Sequence, residues 1–417
     1  MFPSISKFLT AAAALSTTAY AVPQGWSDSS GSWQGGQGGQ GSGSNSVSTT
    51  PTTTSAALNY ASASSSSATG FSTASSAAKA VSSGTACNNS PDLCSRTYDN
   101  VTHMGAHDSS FLRDSSTDDS IAGTQFLNAT YALNSGLRLL QVQVHDLNGA
   151  IEMCHTTCEL LDAGTLQSWL SIIKEWMDNN PNEVVTLLIV NSDDFKASDF
   201  GTVFKASGID TYGYTPSGSA GNSTTWPTLS DMISANTRLV TFIASIDADS
   251  SYPYLLPEFS YVFETAYEVT SLSGFNCTLD RPSGYASSAA AISAGMLPLM
   301  NHFAYSVVLS YEIPDVTNID TTNSPDTTTA GNLGLHAKTC NSDWGQSPTF
   351  VLVDFFNKGP AIDTADNLNG ITATGRSDSG STSSSTSTST SGSVQTRNLG
   401  LASGALVAAL AGAVLLI

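Results

Sequence analysis

The sequence is poor in positive charge. Its 417 residues include 14 lysines and arginines against 34 aspartates and glutamates, which gives a net charge of −20 at pH 7. Nucleic-acid binding needs a basic surface, so this composition argues against a nucleic-acid partner. It also means that an anionic substrate must be drawn by local groups rather than by the overall field.

Two motifs of common enzyme classes are missing as well. The chain contains no Walker A sequence, which argues against a nucleotide-binding P-loop. It contains no GxSxG sequence, which argues against a serine hydrolase with a nucleophile elbow.

Both ends of the chain carry apolar segments. At the N-terminus, one lysine, the apolar run 8–15 and the small-x-small site at 19–21 are typical of a secretory signal peptide, with a buried helix as the alternative. At the C-terminus, small residues at 391–393, a polar spacer and the uncharged tail 399–417 are typical of a glycosylphosphatidylinositol (GPI) attachment signal. A transmembrane helix is the alternative, but no basic residues follow the tail. We therefore expect a protein of the outer cell surface, GPI-anchored to the plasma membrane or cell wall.

Two low-complexity segments enclose one globular region. Segments so rich in Ser, Gly and Thr cannot bury enough apolar surface to offset their ordering entropy. The predicted organisation is a signal peptide at 1–21, a disordered arm at 22–86, a globular domain at 87–370, a stalk at 371–393 and an anchor signal at 394–417 that is removed on attachment.

The globular region alternates between helical and strand patterns. Helical spacing of apolar residues over 166–177 precedes the apolar run 184–190, which suits a strand covered on both faces. Similar patterns predict the helices 125–135 and 231–235 and the strands 137–144, 239–243 and 349–354. This alternation predicts an α/β fold, either a barrel or an open doubly wound sheet.

The six cysteines are an even number, which suits an oxidising compartment. Their positions favour three local disulfides, Cys87 with Cys94, Cys154 with Cys158, and Cys277 with Cys340. A zinc site formed by Cys154, Cys158 and His155 is the alternative for the middle pair. Asn-x-Ser/Thr sequences predict glycans at Asn88, Asn100, Asn128, Asn222 and Asn276.

Three of the six histidines lie at the ends of strand patterns. His107 follows the run 101–106, His145 follows the strand 137–144, and His155 follows the segment 150–154. Residues at the C-terminal ends of barrel strands share one mouth, where two histidines can act as a general base and a general acid. Carboxylates are available near other strand ends, at Asp108 and Asp354.

These residues resemble the phosphatidylinositol-specific phospholipase C class. The segment 105–109, Gly-Ala-His-Asp-Ser, is similar to that family's Gly-Thr-His-Asp-Ser element, and 136–143 is similar to its second strand. His155 lies where the second catalytic histidine is expected, and 351–354 resembles the last barrel strand. The segment 154–162 is similar to phospholipase C-like phosphodiesterases of fungal surfaces. The resemblance covers about residues 95–365 and implies an irregular TIM (β/α) barrel.

The resemblance also implies cleavage of a phosphodiester. By carry-over, His107 takes the proton from the attacking hydroxyl, and His155 gives a proton to the leaving oxygen. Asp354 orients a histidine, and Asp108 supports the pair. The implied substrate-binding positions are Gln141, Gln143, His145 and Asn191.

Positions 141 and 143 depart from the family pattern. Bacterial enzymes of the class carry an acid and an arginine there, and metal-dependent relatives carry two acids, whereas this chain has Gln141 and Gln143. Glutamine is a poor ligand for calcium or magnesium, so no cofactor is expected and a divalent cation is not supported. Asp146 and Glu264 are the acids to examine for a metal. Arg138 is interpreted as a structural ion-pair partner.

The leading hypothesis is a monomeric phosphoric diester hydrolase that acts on a lipid or glycolipid phosphodiester by histidine acid–base catalysis. The alternative is a catalytically weak or inactive barrel that serves as a surface or wall protein, because Gln141 and Gln143 remove expected charges. A glycoside hydrolase is a third candidate, which needs two facing carboxylates roughly 5–9.5 Å apart.

Overall fold

The structure is a computed structural model that describes residues 84–377, except 219, 221–223 and 309–310. The predicted signal peptide, most of the arm, most of the stalk and the anchor signal lie outside the described residues. None of the helices in the described part is long and apolar enough to cross a membrane.

The described residues form strands and helices in alternation. The strands are β1 (His103–Ala106), β2 (Leu139–Leu147), β3 (Ala150–Cys154), β4 (Asp162–Thr165), β5 (Val185–Asn191), β6 (Leu239–Ala244), β7 (Leu255–Pro257), β8 (Val262–Thr265), β9 (Leu279–Arg281), β10 (Leu297–Asn301), β11 (Tyr305–Val308), β12 (Tyr311–Pro314) and β13 (Phe350–Val353). The helices are α1 (Ala129–Asn134), α2 (Leu166–Asn179), α3 (Ala197–Ser207), α4 (Leu229–Ser234), α5 (Ser288–Ser293), α6 (Ile319–Thr322), α7 (Leu333–Trp344) and α8 (Ala361–Asn369).

Eight parallel strands form the wall of a barrel. They follow chain order around the wall as β1, β2, β5, β6, β7, β8, β10 and β13, and β13 pairs with β1. Within the described residues no ladder joins β7 to β8, so the wall is interrupted there. The fold is therefore an irregular TIM (β/α) barrel, as the resemblance implied, because a doubly wound sheet reverses its strand order midway.

Alternate residues of each wall strand face either the barrel interior or the surrounding helices. Leu188, Phe242 and Leu352 belong to one buried cluster, which fills the interior. Their neighbours Leu187 and Ile243 belong to a second cluster, which includes the helices. Because side chains alternate along a strand, this pattern also fixes which polar residues point into the mouth.

Helix α2 shows how the local sequence produces the outer layer. Thr165 caps its N-terminus, because Oγ1 accepts the backbone N–H of Ser168 at 3.2 Å. Its buried side chains recur every three or four residues, as one face of a helix requires. They are Leu166, Trp169, Leu170, Ile173, Trp176 and Met177.

One predicted element differs from the structure. The helix predicted over 125–135 is the shorter α1, because Gln125 is fully buried and bonds strand-end backbone instead. The segment 150–154 is β3, which pairs antiparallel with β2 as a hairpin and is not part of the parallel wall.

The predicted glycan at Asn88 is wrong, because the folded domain leaves no room for it. Asn88 is buried, and its Nδ2 atom, to which a glycan would be linked, has no solvent access. Its Oδ1 accepts the N–H of Val184 at 2.7 Å. The other described acceptors, Asn100, Asn128 and Asn276, are exposed. Asn222 lies outside the described residues.

Candidate active site

The C-terminal ends of β1 and β13 bring together two residues that are distant in the chain. These strands are paired in the wall, with Ala106 opposite Val353. His107 follows β1 directly, and Asp354 follows β13 directly. Nδ1 of His107 lies 2.7 Å from Oδ1 of Asp354. Both residues are buried.

The carboxylate fixes both the orientation and the protonation of His107. A buried carboxylate accepts a hydrogen bond, so Nδ1 of His107 carries the proton and Nε2 is the free position. Burial by itself would lower the pKa of His107, but Asp108 and Asp354 outweigh it and raise the pKa above its usual value. Burial raises the pKa of Asp354 as well. Both shifts mean that the pair holds its proton tightly.

His155 presents its own Nε2 to the same place. Its Nδ1 lies 2.7 Å from the carbonyl oxygen of Ala122, which can only accept, so Nδ1 again carries a proton. Oδ2 of Asp108 lies 3.5 Å from Nε2 of His155 and 3.6 Å from Nε2 of His107. Asp108 therefore lies between the two reactive nitrogens.

Aromatic rings hold both imidazoles from the side. His107 stacks on Phe303, with ring centroids 3.7 Å apart and 9° between the planes. His155 stacks on Phe111, with centroids 5.0 Å apart. These apolar faces restrict the rotation of both rings.

The side-chain oxygens of the two glutamines of β2 accept hydrogen bonds from backbone N–H groups. Oε1 of Gln141 accepts the N–H of Asp108 at 2.5 Å, and Oε1 of Gln143 accepts the N–H of Thr156 at 2.9 Å. Nε2 of Gln143 donates to Oγ of Ser192 at 3.0 Å. Because both carbonyl oxygens already have donors, these residues do not fit a divalent cation at this position.

The other two predicted substrate-binding residues make their hydrogen bonds outside the histidine pair. Asn191 is buried, and its amide bonds the backbone of Phe195 and Ser245, so it holds the loop after β5. His145 lies next to Asp193, 3.3 Å from Nδ1 to the carboxylate. Neither contact involves His107 or His155.

Asp146 and Glu264 also have protein partners. Oδ1 of Asp146 accepts the N–H of Gly149 in the hairpin turn. Glu264 is buried and pairs with Arg281 at 2.5 Å, which with further hydrogen bonds overcomes the effect of burial and lowers the pKa of Glu264. Its neighbour Glu258 has a raised pKa, because it is buried beside that carboxylate.

Arg138 is a structural residue at the opposite end of β2. It bonds Glu183 at 2.7 Å and the backbone carbonyls of Leu133 and Leu137. Because β2 begins at Leu139, this ion pair lies at the N-terminal end of the barrel, away from the mouth.

All six cysteines are paired as the sequence analysis expected. Cys87 bonds Cys94, Cys154 bonds Cys158, and Cys277 bonds Cys340. The zinc alternative at Cys154 and Cys158 therefore has no thiolates. The same holds for the group of His336 with Cys277 and Cys340, the one cluster of described residues with metal-ligand spacing.

Sequence reasoning missed several residues that build the site. Gln125 bonds the carbonyl oxygens of His107 and Val353, Ala122 holds His155, and Phe303 and Phe111 stack on the imidazoles. No motif marks a single amide, a carbonyl or a phenylalanine, so only the three-dimensional contacts reveal them.

The chain is similar to known proteins over most of its described residues. The family model described as PI-PLC X 1 matches residues 93–369. PI-PLC X domain-containing protein 1 of Arthroderma benhamiae is 36% identical over 68% of this chain and 90% of its own length. An uncharacterised secreted protein of the same fungus is 34% identical over 70% of this chain and 65% of its own length.

Among solved structures, the phosphatidylinositol-specific phospholipase C of Listeria monocytogenes is 15% identical, with a TM-score of 0.44, over 68% of this chain and 96% of that one. The match to the family model and the similarity to the PI-PLC X domain-containing relative are decisive. The chain belongs to the PI-PLC X domain family.

Proposed function

We propose that this chain is a phosphoric diester hydrolase with His107 as general base and His155 as general acid. The observation that carries the proposal is that both Nε2 atoms lie within 3.6 Å of the same oxygen of Asp108. Two reactive nitrogens therefore face one small volume at the barrel mouth. Acid–base catalysis of a phosphodiester needs such a pair within reach of one phosphorus.

The partners of the two Nδ1 atoms support this division of roles. Asp354 is a carboxylate and Ala122 offers a neutral carbonyl. A charged acceptor stabilises an imidazolium more strongly than a neutral one, so His107 is the better placed of the two to accept a proton.

The protons balance across the reaction. Nε2 of His107 accepts the proton of the attacking hydroxyl while that oxygen forms a bond to phosphorus. The bond from phosphorus to the leaving oxygen breaks, and the leaving oxygen takes the proton on Nε2 of His155. When the attacking hydroxyl belongs to the substrate, water then opens the cyclic diester with the two histidine roles reversed, which completes the hydrolysis and restores both protonation states. Asp108, between the two nitrogens, stabilises whichever imidazole is charged.

Exposed apolar side chains around the mouth support a lipid or glycolipid substrate. Ile121 precedes Ala122, and Leu160 lies in the loop that follows His155; both are exposed. The hairpin of β11 and β12 follows β10 and exposes 60% of Val307 and 62% of Tyr311. Apolar groups around a site fit a substrate that is presented at a lipid surface.

The test is turnover of phosphatidylinositol and related diesters by the secreted chain, with and without chelator. In His107→Ala and His155→Ala we expect kcat to fall by at least about 10²-fold, the usual minimum for general acid–base groups. Unchanged turnover in both variants would remove the histidines from the mechanism.

A non-catalytic surface barrel is the second candidate. The neutral Gln141 and Gln143 favour it, because no charge at these positions faces a developing phosphorane. Robust turnover by the wild-type chain in chelator excludes this candidate. Binding of diester vesicles without any turnover supports it.

We also propose a place at the outer cell surface. The signal-like N-terminus, three disulfides and a secreted relative support passage through the secretory pathway. The GPI anchor rests on the sequence of 391–417 alone.

A further inference from the structure

The two glutamines of β2 make the same contact twice. Each uses its side-chain oxygen to accept the backbone N–H of the residue that directly follows a histidine of the site. Gln141 bonds Asp108, which follows His107, and Gln143 bonds Thr156, which follows His155. Since 141 and 143 are alternate positions on one strand, both side chains point into the mouth.

Both bonded residues have an unusual backbone conformation. Asp108 has a φ of 44° and Thr156 a φ of 64°, in the left-handed region that residues other than glycine avoid. Such a conformation is strained and persists only when the surrounding structure enforces it. The glutamine oxygens, which are fixed on a barrel strand, stabilise this conformation by accepting the N–H of Asp108 and the N–H of Thr156.

Gln141 makes a further contact with the turn that contains Asp108. Its main-chain oxygen accepts hydrogen bonds from both the backbone N–H and the hydroxyl O–H of Ser109, at 2.7 and 2.9 Å. The side chain of Gln143 is itself restrained, because its Nε2 donates to Oγ of Ser192, the residue that follows β5. Gln141 thus contacts its turn through both its main chain and its side chain, and the side-chain amide of Gln143 is held at both ends.

We infer that Gln141 and Gln143 are positioning residues that fix the direction of the two Nε2 atoms, and that neutrality is what they contribute. This inference rests on the proposed diester hydrolase function. A carboxylate would also accept these N–H groups, but it would add negative charge beside Asp108 and Asp354. Added charge would repel an anionic diester and raise the pKa of His107 further. An amide accepts the same hydrogen bond without that cost.

The test compares methionine with glutamate at each position. Methionine keeps the length of glutamine but removes the acceptor; glutamate keeps the acceptor and adds a charge. In Gln143→Met and Gln141→Met we expect kcat to fall roughly 10–100-fold, since misplacing a catalytic group by about 1 Å costs that much, with KM within about twofold. In the glutamate variants we expect most of kcat to return at high pH, with the acid limb moved to higher pH.

Gln167→Met is the matched control, because Gln167 is exposed on α2 and we expect it to leave turnover unchanged. Hydrogen exchange at the amides of Asp108 and Thr156 gives a readout that needs no turnover. We expect protection to be lost in the methionine variants and kept in the glutamate variants. A rise in KM at constant kcat, or unchanged protection, overturns the inference. Absence of wild-type turnover on every diester instead overturns the proposed function.

Discussion

Asp354 bonds the nitrogen of His107 that faces away from the mouth. Its charge stabilises the imidazolium, and Asp108 acts in the same direction. The contact joins residues 247 positions apart, so it depends on the pairing of β1 with β13. At this scale the chemistry is set by single atoms, and two predictions follow from their titration.

The first prediction concerns Asp354→Asn. A neutral amide stabilises the imidazolium less, so the pKa of His107 falls, and the acid limb of kcat/KM moves to lower pH. Turnover falls by about 10²-fold or more, because the base loses its charged partner. The measurement is the pH–rate profile, with the exposed Asp343→Asn as control. An acid limb that stays in place contradicts the assignment of His107 as the base.

The second prediction concerns acid stability. His103 is buried, donates from Nε2 to the carbonyl of Tyr98, and has its pKa lowered to about 4, because burial disfavours its charged form. Between that value and the unfolded value near 6.5, the unfolded chain binds the extra proton. The contribution of neutral His103 to the free energy of unfolding is therefore fully present above pH ~6.5, and it is lost as the pH drops towards about 4.

From these two pKa values, the loss from His103 between pH 7 and pH 5.5 is about 1 kcal/mol of unfolding free energy. Denaturant titrations at pH 7 and 5.5 measure it. His103→Gln removes the titrating group, so its loss over the same interval is smaller by that amount, whatever its overall stability. An equal pH dependence in both proteins would contradict the buried neutral state of His103.

Two hairpins, β2–β3 and β11–β12, contribute residues to the barrel mouth. The hairpin of β2 and β3 places His155 at its end, and the Cys154–Cys158 disulfide closes the loop around that histidine. The hairpin of β11 and β12 begins at Tyr305, whose pKa is raised by burial and by the nearby Asp354 and Asp108. Both hairpins are additions to the barrel that only their pairing reveals.

The third prediction belongs to the β11–β12 hairpin. Val307→Ser with Val308→Ser removes exposed apolar surface without touching the histidine pair. We expect weaker sedimentation with phosphatidylcholine vesicles that contain phosphatidylinositol, and unchanged turnover of a soluble diester. The exposed Ile172→Ser on α2, away from the mouth, is the control. Equal vesicle binding by all three proteins would remove the hairpin from lipid contact.

The whole molecule combines an acidic composition with a site for an anionic group. The net charge of −20 gives no long-range attraction to a phosphodiester, so encounter depends on local contacts and on holding the domain near its substrate. A predicted stalk of about 20 residues spans roughly 25 Å as a coil, which would keep the domain close to a membrane.

The fourth prediction tests that tether. Deletion of residues 399–417 removes the apolar tail and leaves the described residues intact. We expect the shortened protein to appear in the culture medium with unchanged turnover, while the full chain stays with the cell fraction. Secretion of the full chain into the medium in the same proportion would contradict the anchor.

Much of the barrel could be read from the sequence because its causes are local. Apolar runs such as 184–190 and the helical face of α2 depend on neighbouring residues, and the structure places β5 and α2 there. The motif around His107 indicated the family for the same reason, because its residues are contiguous in the sequence. The helix predicted from 125 failed, because Gln125 is recruited by backbone groups that are distant in the chain.

The sequence by itself determined the alternation of strands and helices, the cysteine partners and the two histidines that carry the proposed chemistry. The tertiary structure decided how those residues act. It brought Asp354 to His107, placed Asp108 between two imidazoles and turned Gln141 and Gln143 towards backbone amides. The physical reason is that periodicity and motifs record local preference, whereas hydrogen-bond partners across a barrel depend on strand order and register.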